Sequence, residues 1–247
     1  MGEARDEAMG EATSVFLAFP CGELSCYPWF WNSVMELNLP PGSVKGPPCQ
    51  SPYIENNQNI LARIFLQTDC THFFLTNDDQ IYPPTTVTKL LESDGDVVVP
   101  ISVGHELPNE PLIYDRVESD SYLPRYFRQF DHGTIPVEGA GGGGMLIKRK
   151  VLETIPDPWW ETHTAWPKGL PPISSTEDLD FCKKVREAGF RIFCNLDAPI
   201  GHITPMIVWP SRRTDGSWWT AISRGVSKVE IPAARSPLAV ETKLVLR

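Results

Sequence analysis

Two acidic clusters carry the side chains best suited to chemistry in this sequence. The first, Asn77-Asp78-Asp79, cuts off the apolar run His72-Phe73-Phe74-Leu75 and is followed by Gln80-Ile81-Tyr82-Pro83-Pro84. Adjacent carboxylates repel each other and resist leaving water, so they are easiest to hold beside a cation or in solvent. Hard divalent ions such as Mg2+ take this oxygen chemistry. A plain turn is the competing reading, because Asn and Asp are common turn formers ahead of proline. The second cluster, Glu177-Asp178-Leu179-Asp180, heads a helical pattern. A carboxylate fixed at a rigid helix start can act as a general base if it lies within reach of the proton it removes. Ser174 with Glu177, or Ser175 with Asp178, also fits a capping box, and carboxylates favour the positive end of a helix dipole. Capping and catalysis can coexist there.

Three further features draw their meaning from this company. His202 lies between Gly201 and Ile203, shortly after an apolar segment, and a histidine so placed is either structural or a metal ligand. Gly139-Ala140-Gly141-Gly142-Gly143-Gly144 formally satisfies GxGxxG, yet it runs into the strand-like Met145-Leu146-Ile147 instead of opening a helix, so it is not a dinucleotide fingerprint. The glycines form either a flexible loop or backbone drawn close to a ligand. Trp159, Trp160 and Trp166 offer either a wall for stacking sugars or plain packing.

These residues must be positioned by a framework, and the pattern predicts an α/β fold. Ser14–Pro20 reads as a first strand and Leu24–Leu37 as an aromatic-rich helix. A Pro/Gly-rich connection over 39–52 precedes a helix with Ile54, Leu61, Ile64 and Phe65 on one face. The acidic strand follows, then a short helix over Thr85–Leu91 and a strand over Asp96–Ile101. That alternation predicts a mainly parallel sheet flanked by helices, whose strand ends bind the ligand. Residues 104–137 read as an excursion with short strands near Ile113 and Tyr122. A helix over Lys148–Ile155, another opened by Ser174–Cys182 and running to about Ala188, and a strand over Phe190–Cys194 complete the pattern. Residues 1–13 are expected to be disordered and 209–247 to form an irregular extension.

Composition narrows the setting. The 247-residue chain is long enough for one large domain, and its formal net charge of -9 argues against a broad nucleic-acid footprint. Six cysteines without a zinc or disulfide spacing suit reduced thiols and a cytoplasmic setting. The polar amino terminus does not read as a signal peptide, and no segment reaches transmembrane length.

In order along the chain come the strand ending at Pro20, Asn77-Asp78-Asp79 before Tyr82-Pro83-Pro84, and the glycine segment before Met145. Glu177-Asp178-Leu179-Asp180-Phe181-Cys182 and His202 follow. This order resembles the GT-A glycosyltransferases, particularly family 2-like enzymes of phages and microbes, over roughly residues 14–203. The resemblance implies a GT-A domain over 14–208, with a Rossmann-like, mixed and mainly parallel sheet. It implies transfer of a sugar from a nucleoside-diphosphate sugar of UDP or GDP type to an acceptor hydroxyl, with Mn2+ or Mg2+ as cofactor. Asn77, Asp78 and Asp79 match the DxD motif as NxD, or as DxQ if the register moves to Asp78 and Gln80; either register lacks one carboxylate. Asp79, His202 and Asn77 are the implied metal ligands, and Asp178, with Glu177 second, is the implied base of an inverting reaction. Pro20, Cys21 and Glu23 would lie near the nucleotide, and Gly142 and Gly143 near the donor sugar and acceptor. The acceptor class stays open between glycan, protein, small molecule and modified DNA base, with nucleic acid disfavoured by the charge. Two alternatives remain: a nucleotide-sugar or glycan-binding module without catalysis, and a sugar nucleotidyltransferase, which Cys21-Gly22-Glu23-Leu24 disfavours for want of a basic phosphate loop.

Overall fold

The computed structural model describes residues 12–22, 27–105, 110–117, 124–126, 132–165, 173–205, 207–212, 218–224 and 227–230. The chain divides into two units, the first comprising 1–103 and 111–203 and the second 104–110 and 204–247. The sequence-derived positions Glu23, Tyr122, Leu123 and Trp166 lie outside the described residues.

The first unit runs β1 (Val15–Cys21), α1 (Pro28–Met35), β2 (Val44–Gln50), α2 (Ile54–Phe65), β3 (His72–Leu75), β4 (Gln80–Ile81), α3 (Thr86–Leu91) and β5 (Val97–Ile101). It continues with β6 (Ile113–Val117), β7 (Pro124–Tyr126), β8 (Thr134–Val137), β9 (Gly139–Ala140), β10 (Met145–Lys148) and α4 (Arg149–Thr154). It ends with β11 (His163–Ala165), β12 (Ile173–Ser175), α5 (Glu177–Glu187), β13 (Ile192–Pro199) and β14 (Gly201–His202). A seven-stranded sheet of order β2-β1-β3-β10-β5-β13-β8 forms its centre. Strands β1, β2, β3, β5 and β13 share one direction, while β10 and β8 run against them. This is the mainly parallel α/β sheet that the sequence pattern predicts, and it is mixed as the GT-A resemblance implies.

Strict alternation explains why the central strands are apolar throughout. Phe16 and Ala18 of β1, Phe73 and Leu75 of β3, Met145 and Ile147 of β10, and Val97 and Val99 of β5 face one core with residues of α2, α4 and α5. Val15, Leu17 and Phe19, together with Phe74, Leu146 and Val98, face the opposite core with residues of α1 and α3. A strand whose successive side chains point to opposite faces must be apolar at every position when both faces are covered.

Two sequence expectations are corrected, and a choice between two readings is decided. The segment 39–52 is more than a connection, since it contains β2, which pairs in parallel with β1 through Phe16↔Val44 and Pro20↔Cys49. Pro47 and Pro48 hid it, but β2 is an edge strand, where missing N–H donors are tolerated. Of the two readings of Trp159 and Trp160, the structure favours plain packing over a sugar-stacking wall. Trp160 is fully buried, stacked on Phe181 at 4.5 Å between centroids and tilted against Phe73 at 6.1 Å, while Trp159 Nε1 donates to the Leu152 carbonyl at 2.9 Å. Replacing such a buried tryptophan by alanine costs about 3–5 kcal/mol. Finally, the described part of the irregular-looking tail is a three-stranded antiparallel sheet in the second unit: β15 (Ile207–Arg212), β16 (Trp218–Arg224) and β17 (Ser227–Glu230).

Candidate functional site

The acidic segment begins where β3 ends. Thr76, buried, ties that end to β1, its backbone N–H and Oγ1 both donating to the Ala18 carbonyl at 3.1 and 2.7 Å. The chain then turns, and each residue of the cluster takes a separate direction. The Asn77 N–H donates to the hydroxyl of buried Tyr82 at 2.9 Å, while its side-chain Oδ1 is buried without a protein partner. Asp78 Oδ2 accepts the Gly22 N–H at 2.8 Å, joining the cluster to the exit of β1. Asp79 turns toward His202. Gln80 is buried and accepts from Ser102 Oγ at 3.4 Å.

His202 reaches this point because β14 pairs antiparallel with β4, setting His202 opposite Gln80 and Gly201 opposite Ile81. The Ile203 N–H also donates to the Asp79 carbonyl at 2.7 Å. The imidazole is fixed at both nitrogens: Nδ1 lies 2.6 Å from the Val103 carbonyl and Nε2 lies 3.3 Å from Asp79 Oδ2. The Val103 carbonyl at Nδ1 orients the ring so that Nε2 points at the Asp79 carboxylate. Burial alone would lower the His202 pKa, but Asp79 and the Val103 carbonyl outweigh it and hold it above the ordinary value.

The second acidic cluster does not cap its helix. The N-cap of α5 is Thr176, which makes no side-chain cap bond, and Ser175 Oγ turns to the Thr176 carbonyl at 3.3 Å. The capping-box reading of Ser174-Glu177 and Ser175-Asp178 is therefore overturned, and both carboxyls are left to face inward. Asp178 Oδ2 accepts the Gly142 N–H at 2.8 Å, and its Oδ1 is buried without a hydrogen-bond partner. Glu177 Oε1 accepts from Gln58 Nε2 of α2 at 3.5 Å. Burial, then the neighbouring Glu177, push the Asp178 carboxyl well above the usual range, with Gly142 and Gln58 opposing. Glu177 is raised as well, chiefly by burial. Two carboxyls in contact in a desolvated place cannot both ionise cheaply, so the pair holds its last proton more tightly than an isolated carboxyl would.

The glycine segment connects the two clusters. A Cβ on Gly142 would lie 2.3 Å from Asp178 Oδ1, and one on Gly143 would lie 3.0 Å from the Gln80 amide. Gly144 has φ 114°, in the region that favours glycine, and its N–H closes a tight turn onto the Gly142 carbonyl at 2.7 Å. Close backbone approach, instead of a flexible loop, accounts for these glycines. The contacts Asp178–Gly142 and Gly143–Gln80, with Gln80 next to Asp79 and opposite His202, set both acidic clusters on one edge of the sheet.

Pro20 and Cys21 lie at the same edge, but their side chains are buried. What they present is backbone: the Cys21 carbonyl accepts from Asn57 Nδ2 at 3.2 Å, and the Gly22 carbonyl accepts from Gln50 Nε2 at 3.0 Å. Sequence reasoning missed Gln58 and the buried amides beside it, Asn57 and Asn59. The run Asn56-Asn57-Gln58-Asn59 inside a helical pattern was the available signal, since such a polar run is expected at an exposed face.

Another acid-histidine cluster brings Glu161, His163 and Asp180 together. Lys184 closes it, with Nζ 2.6 Å from Glu161 and 2.8 Å from Asp180, so a fixed ammonium already supplies the positive charge. Asp180, part of the same sequence motif as Asp178, thus anchors the 161–163 segment to α5.

No protein-family model and no curated protein sequence matches the chain. Among solved structures, the fold is similar to GalNAc-T7 with UDP, GalNAc and Mn2+, at TM-score 0.50 and 12% identity, over 77% of this chain and 44% of that one. A197 from STIV aligns over 82% of this chain and 99% of its own at TM-score 0.47 and 14% identity. The inositol-1-phosphate CTP transferase from T. maritima aligns over 77% and 71% at TM-score 0.38 and 13% identity. At such identity the GalNAc-T7 likeness speaks to fold alone, and that fold is GT-A-like. No helix among the described residues is long and apolar enough to cross a membrane.

Proposed function

We propose that this protein is a metal-dependent glycosyltransferase, its transferase domain spanning 14–208, that moves a sugar from a UDP- or GDP-type nucleoside-diphosphate sugar to an acceptor hydroxyl. One observation carries the reading. Asp79 and His202, 123 residues apart in sequence, meet at 3.3 Å on the strand-end edge to which the glycine segment also brings Asp178.

The donor set fits Mn2+ or Mg2+. Asp79 offers a carboxylate, His202 an imidazole nitrogen, and Asn77 a buried amide oxygen that no protein group satisfies. Hard divalent ions accept such oxygen-rich sets, and Mn2+ tolerates imidazole. Asn77 therefore compensates in kind for the aspartate absent at its position. Asp78, committed to the Gly22 N–H, and Gln80, buried beside Gly143, favour the Asn77/Asp79 register over Asp78/Gln80. Bound there, the ion would act as a Lewis acid, offsetting charge on the diphosphate.

The chain's own residues supply the rest. Asp178 takes the proton of the acceptor hydroxyl while the hydroxyl oxygen bonds to the anomeric carbon. The bond from that carbon to the diphosphate breaks, and its electron pair leaves with the diphosphate. Attack opposite the leaving group gives inversion. A base of raised proton affinity pulls harder on the hydroxyl proton once ionised, which is the use of burying Asp178 beside Glu177. Glu177 is the second candidate for the base. Pro20 and Cys21, at the end of β1, are assigned to the nucleotide end with Asp78, and so is Glu23 by its place in the sequence. Gly142 and Gly143 let the sugar and acceptor approach the backbone. The proposed setting is cytoplasmic, and the net charge of -9 favours an acceptor other than nucleic acid.

Incubation with a panel of UDP- and GDP-sugars in the presence of Mn2+ tests this reading through release of the nucleoside diphosphate. Release that requires the metal supports it. Thermal stabilisation by a nucleotide sugar without release would support a binding module instead, a reading favoured by Asn77 at the motif's first position. Consumption of a nucleoside triphosphate with a sugar phosphate would mark a nucleotidyltransferase.

A further inference from the structure

Helix α2 buries three consecutive amides, Asn57, Gln58 and Asn59, and two of them have plain structural duties. Asn57 donates to the Cys21 carbonyl at 3.2 Å. Asn59 donates to the Trp160 carbonyl at 2.8 Å and accepts the Trp159 N–H at 2.9 Å. Gln58 differs. It is fully buried, its Nε2 reaches Glu177 Oε1 by a long 3.5 Å contact and also favours the charged form of Asp178, and its Oε1 has no hydrogen-bond partner. A buried amide oxygen left unsatisfied costs stability, and an apolar side chain of the same shape would not incur that cost. Packing therefore does not explain the residue. Its aim at Glu177, from 119 residues away in sequence, does.

We propose that Gln58 is a positioning residue for the Glu177–Asp178 pair, its amide holding the Glu177 carboxyl so that Asp178, oriented from its other side by the Gly142 N–H, is the member that accepts the proton. The assignment of Asp178 as base rests on the glycosyltransferase reading; the orienting role of Gln58 does not. Other ionisable groups around the pair are Glu55 of α2, whose charge raises Glu177, and Cys182 of α5, whose thiol burial keeps neutral by pushing its pKa up to about 12. Arg186, one turn beyond Cys182, is engaged with Glu138 at 3.3 Å. Gln58 is thus the neutral donor from outside α5 that favours the charged form of both carboxyls.

The test is a carboxyl 13C NMR titration of the ligand-free protein, comparing wild type with Gln58→Met, beside the pH profile of turnover. Removing a donor that favours the charged form must raise the upper apparent midpoint of the pair, by about half a pH unit or more, or roughly threefold in proton affinity. The acidic limb of kcat should move with it while KM for the donor sugar stays within about twofold. An unmoved midpoint in a folded Gln58→Met variant overturns the proposal. If that variant does not fold, Gln58→Glu decides: an added acid of the same length must raise the midpoint further, and an unchanged midpoint again overturns it. Because the titration needs no substrate, a moved midpoint in a protein that turns over no nucleotide sugar would sustain Gln58 and reject the glycosyltransferase reading. An active enzyme with an unmoved midpoint would do the reverse.

Discussion

Asp79 and Asp178 lie on the same edge of one sheet, and what each touches separates them. Asp79 faces an imidazole, whose other nitrogen is tied to a backbone carbonyl, beside an amide oxygen with no protein partner. Asp178 faces a second carboxyl, a backbone N–H and a buried glutamine. The first environment gathers lone pairs around an atom that can take up positive charge. The second crowds two acids into a desolvated place and so raises their affinity for a proton. In the proposed reading one residue type serves two tasks, a cation seat and a proton seat, with surroundings deciding which. Asp180, two residues from Asp178, marks the limit of the comparison: with Lys184 at 2.8 Å its charge is already matched, and its work is structural.

The largest effect that would separate the two seats is on turnover. Asp178→Asn removes the proton acceptor while leaving an oxygen for the Gly142 N–H, so kcat should fall on the order of 10²–10⁴-fold with the fold intact. Full activity in the folded variant would reject the proton seat. Next comes Gly142→Ala. Its Cβ cannot sit 2.3 Å from Asp178 Oδ1, so the carboxyl must move, and displacement of a reacting group by about 1 Å costs roughly 10²-fold. Steady-state kinetics should show that loss in kcat, with Mn2+ affinity unchanged; a weakened metal site instead would mean that the two seats are not separate.

His202→Ala addresses the other seat. Wild-type protein should gain about 2.7 kcal/mol of apparent stability when Mn2+ stands at a hundredfold over its dissociation constant, and the variant should lose most of that gain in thermal denaturation. An equal gain in both would take His202 out of the cation seat. The smallest effect is the pH dependence of stability. The folded-state proton affinity of Asp178 lies above its unfolded value, so its contribution is fully present below the ordinary aspartate range and is lost as pH rises through the raised value. Asn does not ionise. The stability of Asp178→Asn relative to wild type should therefore increase with pH, and urea denaturation across that window checks it; a difference that shrinks with pH would show that Asp178 is not destabilised by ionisation.

The sequence made these seats unequally visible. β3 and its acidic end were legible because a strand covered on both faces must be apolar throughout and must stop somewhere polar. The pairing of Asp79 with His202 emerged from motif order, since no local pattern links residues 123 apart. Local signals failed where tertiary partners decide. Pro47 and Pro48 argued against β2, yet its place at the sheet edge admits them. Ser174 and Ser175 spelled a capping box whose carboxyls turned inward to Gly142 and Gln58. Trp159 and Trp160 could be read as a stacking wall or as packing, and only the tertiary enclosure of Trp160 by Phe181 of α5 and Phe73 of β3 decides for packing. Gln58 was hidden because nothing in its own segment records that Glu177 waits across the fold.

The division between a cation seat and a proton seat is tested most directly by thermal denaturation of wild type, Asp79→Ala and Asp178→Asn with Mn2+ and UDP or GDP, each scored also for nucleotide-sugar turnover. The account predicts that Asp178→Asn keeps the metal-dependent stabilisation by the nucleotide and loses turnover, whereas Asp79→Ala loses both. Metal-dependent stabilisation that survives in Asp79→Ala, or vanishes in a folded Asp178→Asn, would contradict it.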